Sequence, residues 1–176
     1  MLKAVTEQAA AVANELILVA YEDEGPLSAR KLMALVYLAH GWHLGYHHSP
    51  LLNEPIVATR YGPSIRSLEQ WLRMESERDV RALLILRDGS SPRMANPSRM
   101  QNHLDVLWTV YGRMSANQIQ RITCLGDSPW SLCWRERREN LGDELIIPDD
   151  LIYSYFSRRT NRRRGTAAAN QDAFSR

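Results

Sequence analysis

His40, His43 and His47 are spaced three and four residues apart, so on a helix they set three imidazoles along one side, an arrangement that in principle binds a metal ion. No Asp, Glu or Cys stands among them to complete such a set, and Trp42 in their midst points to packing or recognition instead. His103 is alone, with too few carboxylates near it in sequence to define a general acid and base pair. The chain has no glycine-rich phosphate loop ending in Lys-Ser/Thr, no nucleophile elbow and no His-Glu-x-x-His. Cys124 and Cys133 lack the count of a disulfide scaffold and the companions of a zinc site, and read as buried or reduced thiols. No residue is therefore assigned to catalysis, to a metal or to a cofactor, and the chain is expected to bind rather than to catalyse.

Nucleic acid is one partner to weigh. Ser115 to Cys124 followed by Pro129 to Asn140 has the outline of a helix-turn-helix in which Arg135, Arg137 and Arg138 could approach phosphates. Against it, Trp130 and Trp134 need burial, and Glu136 and Glu139 share the putative recognition helix with the arginines. The net charge of +2 is uneven: Arg158, Arg159, Arg162, Arg163, Arg164 and Arg176 are opposed in the last segment only by Asp172. Removing these six basic and one acidic residues from totals of 22 and 20 leaves 16 against 19, so the body to Ser157 carries −3. Such a basic end could touch nucleic acid, an acidic protein or only solvent. A DNA-binding regulator using it is the alternative reading.

The elements that would carry these residues are mainly helical. With 176 residues and 44% apolar content, the expectation is one compact helical domain, residues 1–157, around a buried central helix, with a minor strand or extended segment and a basic, flexible tail over 158–176. No leader opens the chain, and Ala9 to Tyr21 is too short to cross a bilayer and is interrupted by Asn14 and Glu15, so a cytoplasmic, non-membrane location is expected. Leu27 to Tyr46, apolar on nearly every side, is the central helix. Ser28 caps it, Leu27 and Leu32 are spaced as a hydrophobic staple, and Gly41 predicts the close approach of another backbone beside Trp42.

Around it, Thr6 to Glu22 predicts a first helix with Val12, Leu16 and Val19 inward, and Ile56 to Thr59 a very short strand. Tyr61-Gly62-Pro63 reads as a loop-to-helix corner before a helix over Ser64 to Met74. Val80 to Leu86 fits either a strand or a helix end. Asn96-Pro97 starts a helix to Tyr111, Ser115 to Gln118 has capping-box spacing, and Pro129 and Pro148 each stand at a helix start, with Asp149 and Asp150 in the last helix's first turn. Order is expected to fade after Ser157.

At Lys31-Leu-Met-Ala-Leu-Val-Tyr-Leu-Ala-His-Gly-Trp-His-Leu44 and Glu54-Pro-Ile-Val-Ala-Thr-Arg-Tyr-Gly-Pro63, then at Leu107-Trp108, Tyr111-Gly112, Ser128-Pro-Trp130 and Tyr155-Phe156, the sequence resembles the Panacea antitoxin domain, a SocA-like family once catalogued as phage-associated. Thr123-Cys124 stands where that family often has Thr-His. The resemblance implies a mostly helical, non-enzymatic antitoxin that binds a cognate toxin encoded beside it; in the SocA type the antitoxin also presents the toxin to the ClpXP protease. It places His40, Trp42, His43, Tyr61, Gly62 and Pro63 at the recognition surface or in its support. Arg60 and Arg66 join them because they flank the same corner and are expected to be exposed.

Overall fold

The computed structural model describes residues 7–23, 25–74, 79–94, 97–136 and 145–173. Among the described residues, seven helices and five short strands follow in the order α1 (Glu7–Asp23), β1 (Leu27–Ser28), α2 (Ala29–His47), β2 (Ile56–Thr59), β3 (Gly62–Ile65), α3 (Arg66–Met74), β4 (Asp79–Val80), α4 (Pro97–Tyr111), α5 (Ala116–Thr123), α6 (Pro129–Glu136), β5 (Ile146–Ile147) and α7 (Asp149–Ala173). The mainly helical class and the central helix are as the sequence indicates. None of these helices is long and apolar enough to cross a membrane.

Helix α2 is the rod on which the rest is laid. The Ser28 hydroxyl accepts from the Lys31 N–H at 3.3 Å, and His48, in the left-handed conformation, closes the other end by donating its N–H to Leu44 O. Residues Leu35 through Trp42 are buried without interruption because α1, α4, α5 and α7 all pack on this helix. Helix α1 faces it with Ala9, Val12, Ala13, Leu16 and Ala20, all 0% exposed; of the expected inward residues Val12 and Leu16 are buried, whereas Val19 is half-buried at the edge of the core.

Gly41 does mark a close approach, but by a ring: a Cβ there would run into the Phe156 side chain. The backbone comes close one turn later, where a Cβ on Gly45 would lie 3.0 Å from the Phe156 carbonyl carbon and 3.1 Å from Ser157 N. Phe156 wedges into the notch, edge-on to Tyr37 and Trp42 with centroids 6.2 and 5.1 Å away. Helix α7 continues past Ser157, where a tail is expected to start. Thr160 is buried, and Arg159 stacks on Tyr155 at 3.5 Å and reaches Asp127 at 3.2 Å, so the first basic residues of that segment belong to the packed helix.

The strands form two small antiparallel sheets. β1 pairs β4 through Leu27↔Val80, which makes Leu27 a strand residue as well as the residue before the helix cap. The second sheet has the order β3-β2-β5. β2 is the strand expected over Ile56 to Thr59; β3 occupies Gly62–Ile65, so the helix expected from Ser64 begins only at Arg66. Pro63 suits this edge position, since a missing N–H costs an edge strand nothing. Of the apolar run Val80 to Leu86 only Val80 is strand, which together with Asp79 forms β4 (Asp79–Val80). The rest is held by buried Asn14, whose Oδ1 accepts from Leu84 N at 2.7 Å while Nδ2 donates to Leu84 O and Pro92 O. The expected cap Asn96, and Arg137, Arg138 and Glu139 of the expected longer α6, lie outside the described residues.

Candidate functional site

The Tyr61 turn is where the fold offers a surface. Arg60 and Tyr61 connect β2 to β3, and the left-handed φ of +122° falls on Gly62, whose Cβ-less carbon sits against Cys124. Thr59 Oγ1 accepts from Tyr61 N at 3.2 Å and donates to Gly62 O at 2.9 Å. Two helices grip the turn from behind: Gln120 Nε2 of α5 donates to Tyr61 O at 2.7 Å, and Trp130 Nε1 of α6 donates to Thr59 O at 2.8 Å. Tyr61 is nevertheless 57% exposed as a residue, with the Arg60 guanidinium over its ring at 4.6 Å. An aromatic residue presented on a backbone held at three points loses little entropy on binding, which is the chemistry of a protein-contact anchor.

Beside this turn a groove of about 800 Å³ runs between α2, the hairpin, α3 and α5. Met33, Ala34 and Tyr37 of α2, Tyr61 and Pro63 of the hairpin and Gln120 of α5 are among its walls. Tyr37 is fully buried, burial raises its hydroxyl pKa above the ordinary tyrosine range, and the hydroxyl has no hydrogen-bond partner among the described residues. Arg66, the first residue of α3, donates to Glu69 Oε2 at 3.0 Å, and Ser64 Oγ donates to the same oxygen at 3.1 Å.

His40, Trp42 and His43 stand apart from this groove. His40 is 0% exposed: Nδ1 accepts from Leu52 N at 3.2 Å, so the neutral ring carries its proton on Nε2, 3.5 Å from the Asp149 carboxylate. Burial lowers the His40 pKa, and Asp149 opposes that shift. Nδ1 thus holds the loop before β2, while buried Nε2 faces Asp149 at the start of α7 without a hydrogen bond among the described residues. Trp42 is buried and donates Nε1 to Tyr111 OH at 3.1 Å. His43 shares a hydrogen bond with Ser49 O at 2.9 Å, and its ring lies 4.6 Å from His47 and 5.9 Å from His103. Desolvation, with like-charge neighbours, lowers the His43 pKa, and desolvation chiefly lowers that of His103. Among the described residues no group of three or more His, Cys, Asp or Glu is placed to hold a metal ion, because His40 turns toward Leu52 and Asp149.

The residues singled out in the sequence thus divide. Arg60, Tyr61, Gly62 and Pro63 make the turn, Tyr61 and Pro63 also line the groove, and Arg66 pairs with the groove residue Glu69; His40, Trp42 and His43 belong to the core and to the far end of α2. Arg30, Met33 and Gln120 were not singled out, although Arg30, Met33, Ala34 and Tyr37 fall at i, i+3, i+4 and i+7 on a single helix face. Cys124 and Cys133 are free thiols, and burial raises the pKa of both. On the helix-turn-helix outline, Arg135 donates to Ser131 O and Gly126 O within its own α5–α6 region.

No family model and no solved structure matches this chain. Antitoxin SocA of Caulobacter vibrioides (strain NA1000 / CB15N) is similar to it, 29% identical over 153 residues that span 84% of this chain and 81% of that protein. That span takes in most of the fold, and it supports a relationship to an antitoxin family.

Proposed function

We propose that this chain is a non-catalytic antitoxin of the Panacea type, neutralising a cognate toxin encoded beside it by direct protein binding at the surface built around Tyr61. The observation that carries this reading is the similarity to an antitoxin along 84% of the chain. The turn clamped by Gln120 and Trp130 supports it, since an exposed aromatic flanked by arginine on rigid backbone is the composition of interaction hot spots. In the narrower form of the reading the antitoxin is also an adaptor that hands the toxin to ClpXP, in the cytoplasm.

Co-expression of this chain with the product of the adjacent gene, followed by purification through a tag on either partner, tests the first part: a stable complex is expected, and recovery of the tagged protein alone would overturn it. Incubating that complex with ClpXP and ATP tests the second. Loss of the toxin only when this chain is present supports delivery, whereas an intact but inactive toxin means neutralisation by occlusion.

A further inference from the structure

Resting on the antitoxin reading, we infer that the groove between α2 and the Tyr61 hairpin receives a toxin segment bearing an apolar side chain beside a carboxylate, the apolar group lying against Met33, Ala34 and Pro63 and the carboxylate pairing with Arg30. The volume of about 800 Å³ is the size of a built pocket rather than of a surface ripple. Its helical wall is apolar where Met33 and Ala34 line it, and methionine adapts its shape to what it covers.

Charge selects the occupant. Among the described residues two charged side chains, Arg30 and Glu69, line the groove, and they are not equivalent. The Glu69 carboxylate already accepts from Arg66 and from the Ser64 hydroxyl. Arg30 is exposed and makes no ion pair among the described residues, so it leaves a positive charge at the mouth of an apolar cleft. A partner carboxylate would be favoured there and an ammonium opposed.

The backbone argues for side-chain docking over strand addition. β3 is an edge strand, but Pro63 has no N–H to give and the Ile65 N–H goes to Met33 Sδ at 3.3 Å. An added strand would find few donors, whereas a side chain entering the cleft needs none.

The test uses the purified toxin from the adjacent gene and calorimetric titration with wild-type chain, Arg30→Glu and Ala116→Trp, the last narrowing the groove from the α5 side. Wild type is expected to bind, and each variant to bind about tenfold or more weakly with its melting temperature unchanged. Added salt should weaken wild-type binding more than binding by Arg30→Glu. Where Ala116→Trp melts lower than wild type, Arg30→Glu decides alone. Wild-type binding with both folded variants equally tight would overturn the groove assignment and leave the antitoxin reading standing. No binding by wild type would overturn both.

Discussion

Phe156 of α7 fills the notch that Gly41 and Gly45 leave on α2, its ring against the first glycine and its backbone against the second. Alanine at Gly45 would gain about 1 kcal/mol of helix propensity. Its Cβ, however, would lie 2.8 Å from Phe156 Cβ and 3.0 Å from the Phe156 carbonyl carbon, so α7 must lift away from α2. Overpacking of this kind costs about 1–3 kcal/mol and exceeds the propensity gain, so Gly45→Ala should lower the melting temperature. Gly41→Ala should also destabilise, but less when combined with Phe156→Leu, because the clash is then with a smaller, movable side chain. Additive effects in a double-mutant cycle would contradict that pairing.

Acid should loosen the fold through its histidines. Burial holds the His40 pKa below its ordinary 6.5, with Asp149 opposing, and desolvation lowers those of His43 and His103. As pH falls through 6.5 the unfolded chain takes up these protons first, so stability is fully present above that pH and declines below it. His40→Asn keeps an acceptor for the Leu52 N–H and removes the titration. Melting temperatures between pH 7.5 and 5.5 should fall less steeply for this variant than for wild type.

Asn14 is the buried side chain that bonds both Leu84 N and Leu84 O and also Pro92 O, while Ser91 Oγ donates to Leu84 O and Tyr21 OH to Arg81 O in the same irregular segment. Asn14→Ala should cost about 2–3 kcal/mol, since it strands buried amide and carbonyl groups as well as losing its own bonds. Hydrogen exchange should show the Leu84 amide losing protection ahead of the α2 amides.

Glu54 is buried and accepts from Ser67 Oγ at 2.6 Å and from Ser67 N at 3.3 Å, so the loop before β2 grips the start of α3 with a carboxylate. A negative group at a helix N-terminus is favourable. Glu54→Gln should therefore cost about 1 kcal/mol and Glu54→Ala about 3 kcal/mol in chemical denaturation. Equal losses for the two would mean that the charge contributes little.

Local chemistry made much of the fold legible before the structure. Ser28 caps α2, and Ser115 with Gln118 closes a capping box in which both bonds are formed. Pro129 and Asp149 begin their helices. What local reading could not supply were pairings between distant segments: the two-residue strand β5 is defined only by β2, and β4 only by β1. Gly62-Pro63-Ser64-Ile65 has no alternation of apolar and polar residues to announce a strand. For the candidate site, glycine and proline mark the turn, but the same stretch of α2 points to His40, Trp42 and His43, of which His40 Nδ1, Trp42 Nε1 and His43 Nδ1 bond Leu52, Tyr111 and Ser49. The groove face of that helix starts a turn earlier at Arg30, where one charged residue in an apolar stripe was the available signal.

The most direct measurement is growth of cells expressing the adjacent gene, alone and with this chain. Toxicity alone, full rescue by the wild-type chain, and loss of rescue by Tyr61→Asp at unchanged abundance and melting temperature are expected, since Tyr61 is 57% exposed and removal of its ring leaves the backbone clamps in place. A toxic neighbour whose growth arrest the wild-type chain neither relieves nor delays, with no complex between the two, would contradict the antitoxin assignment.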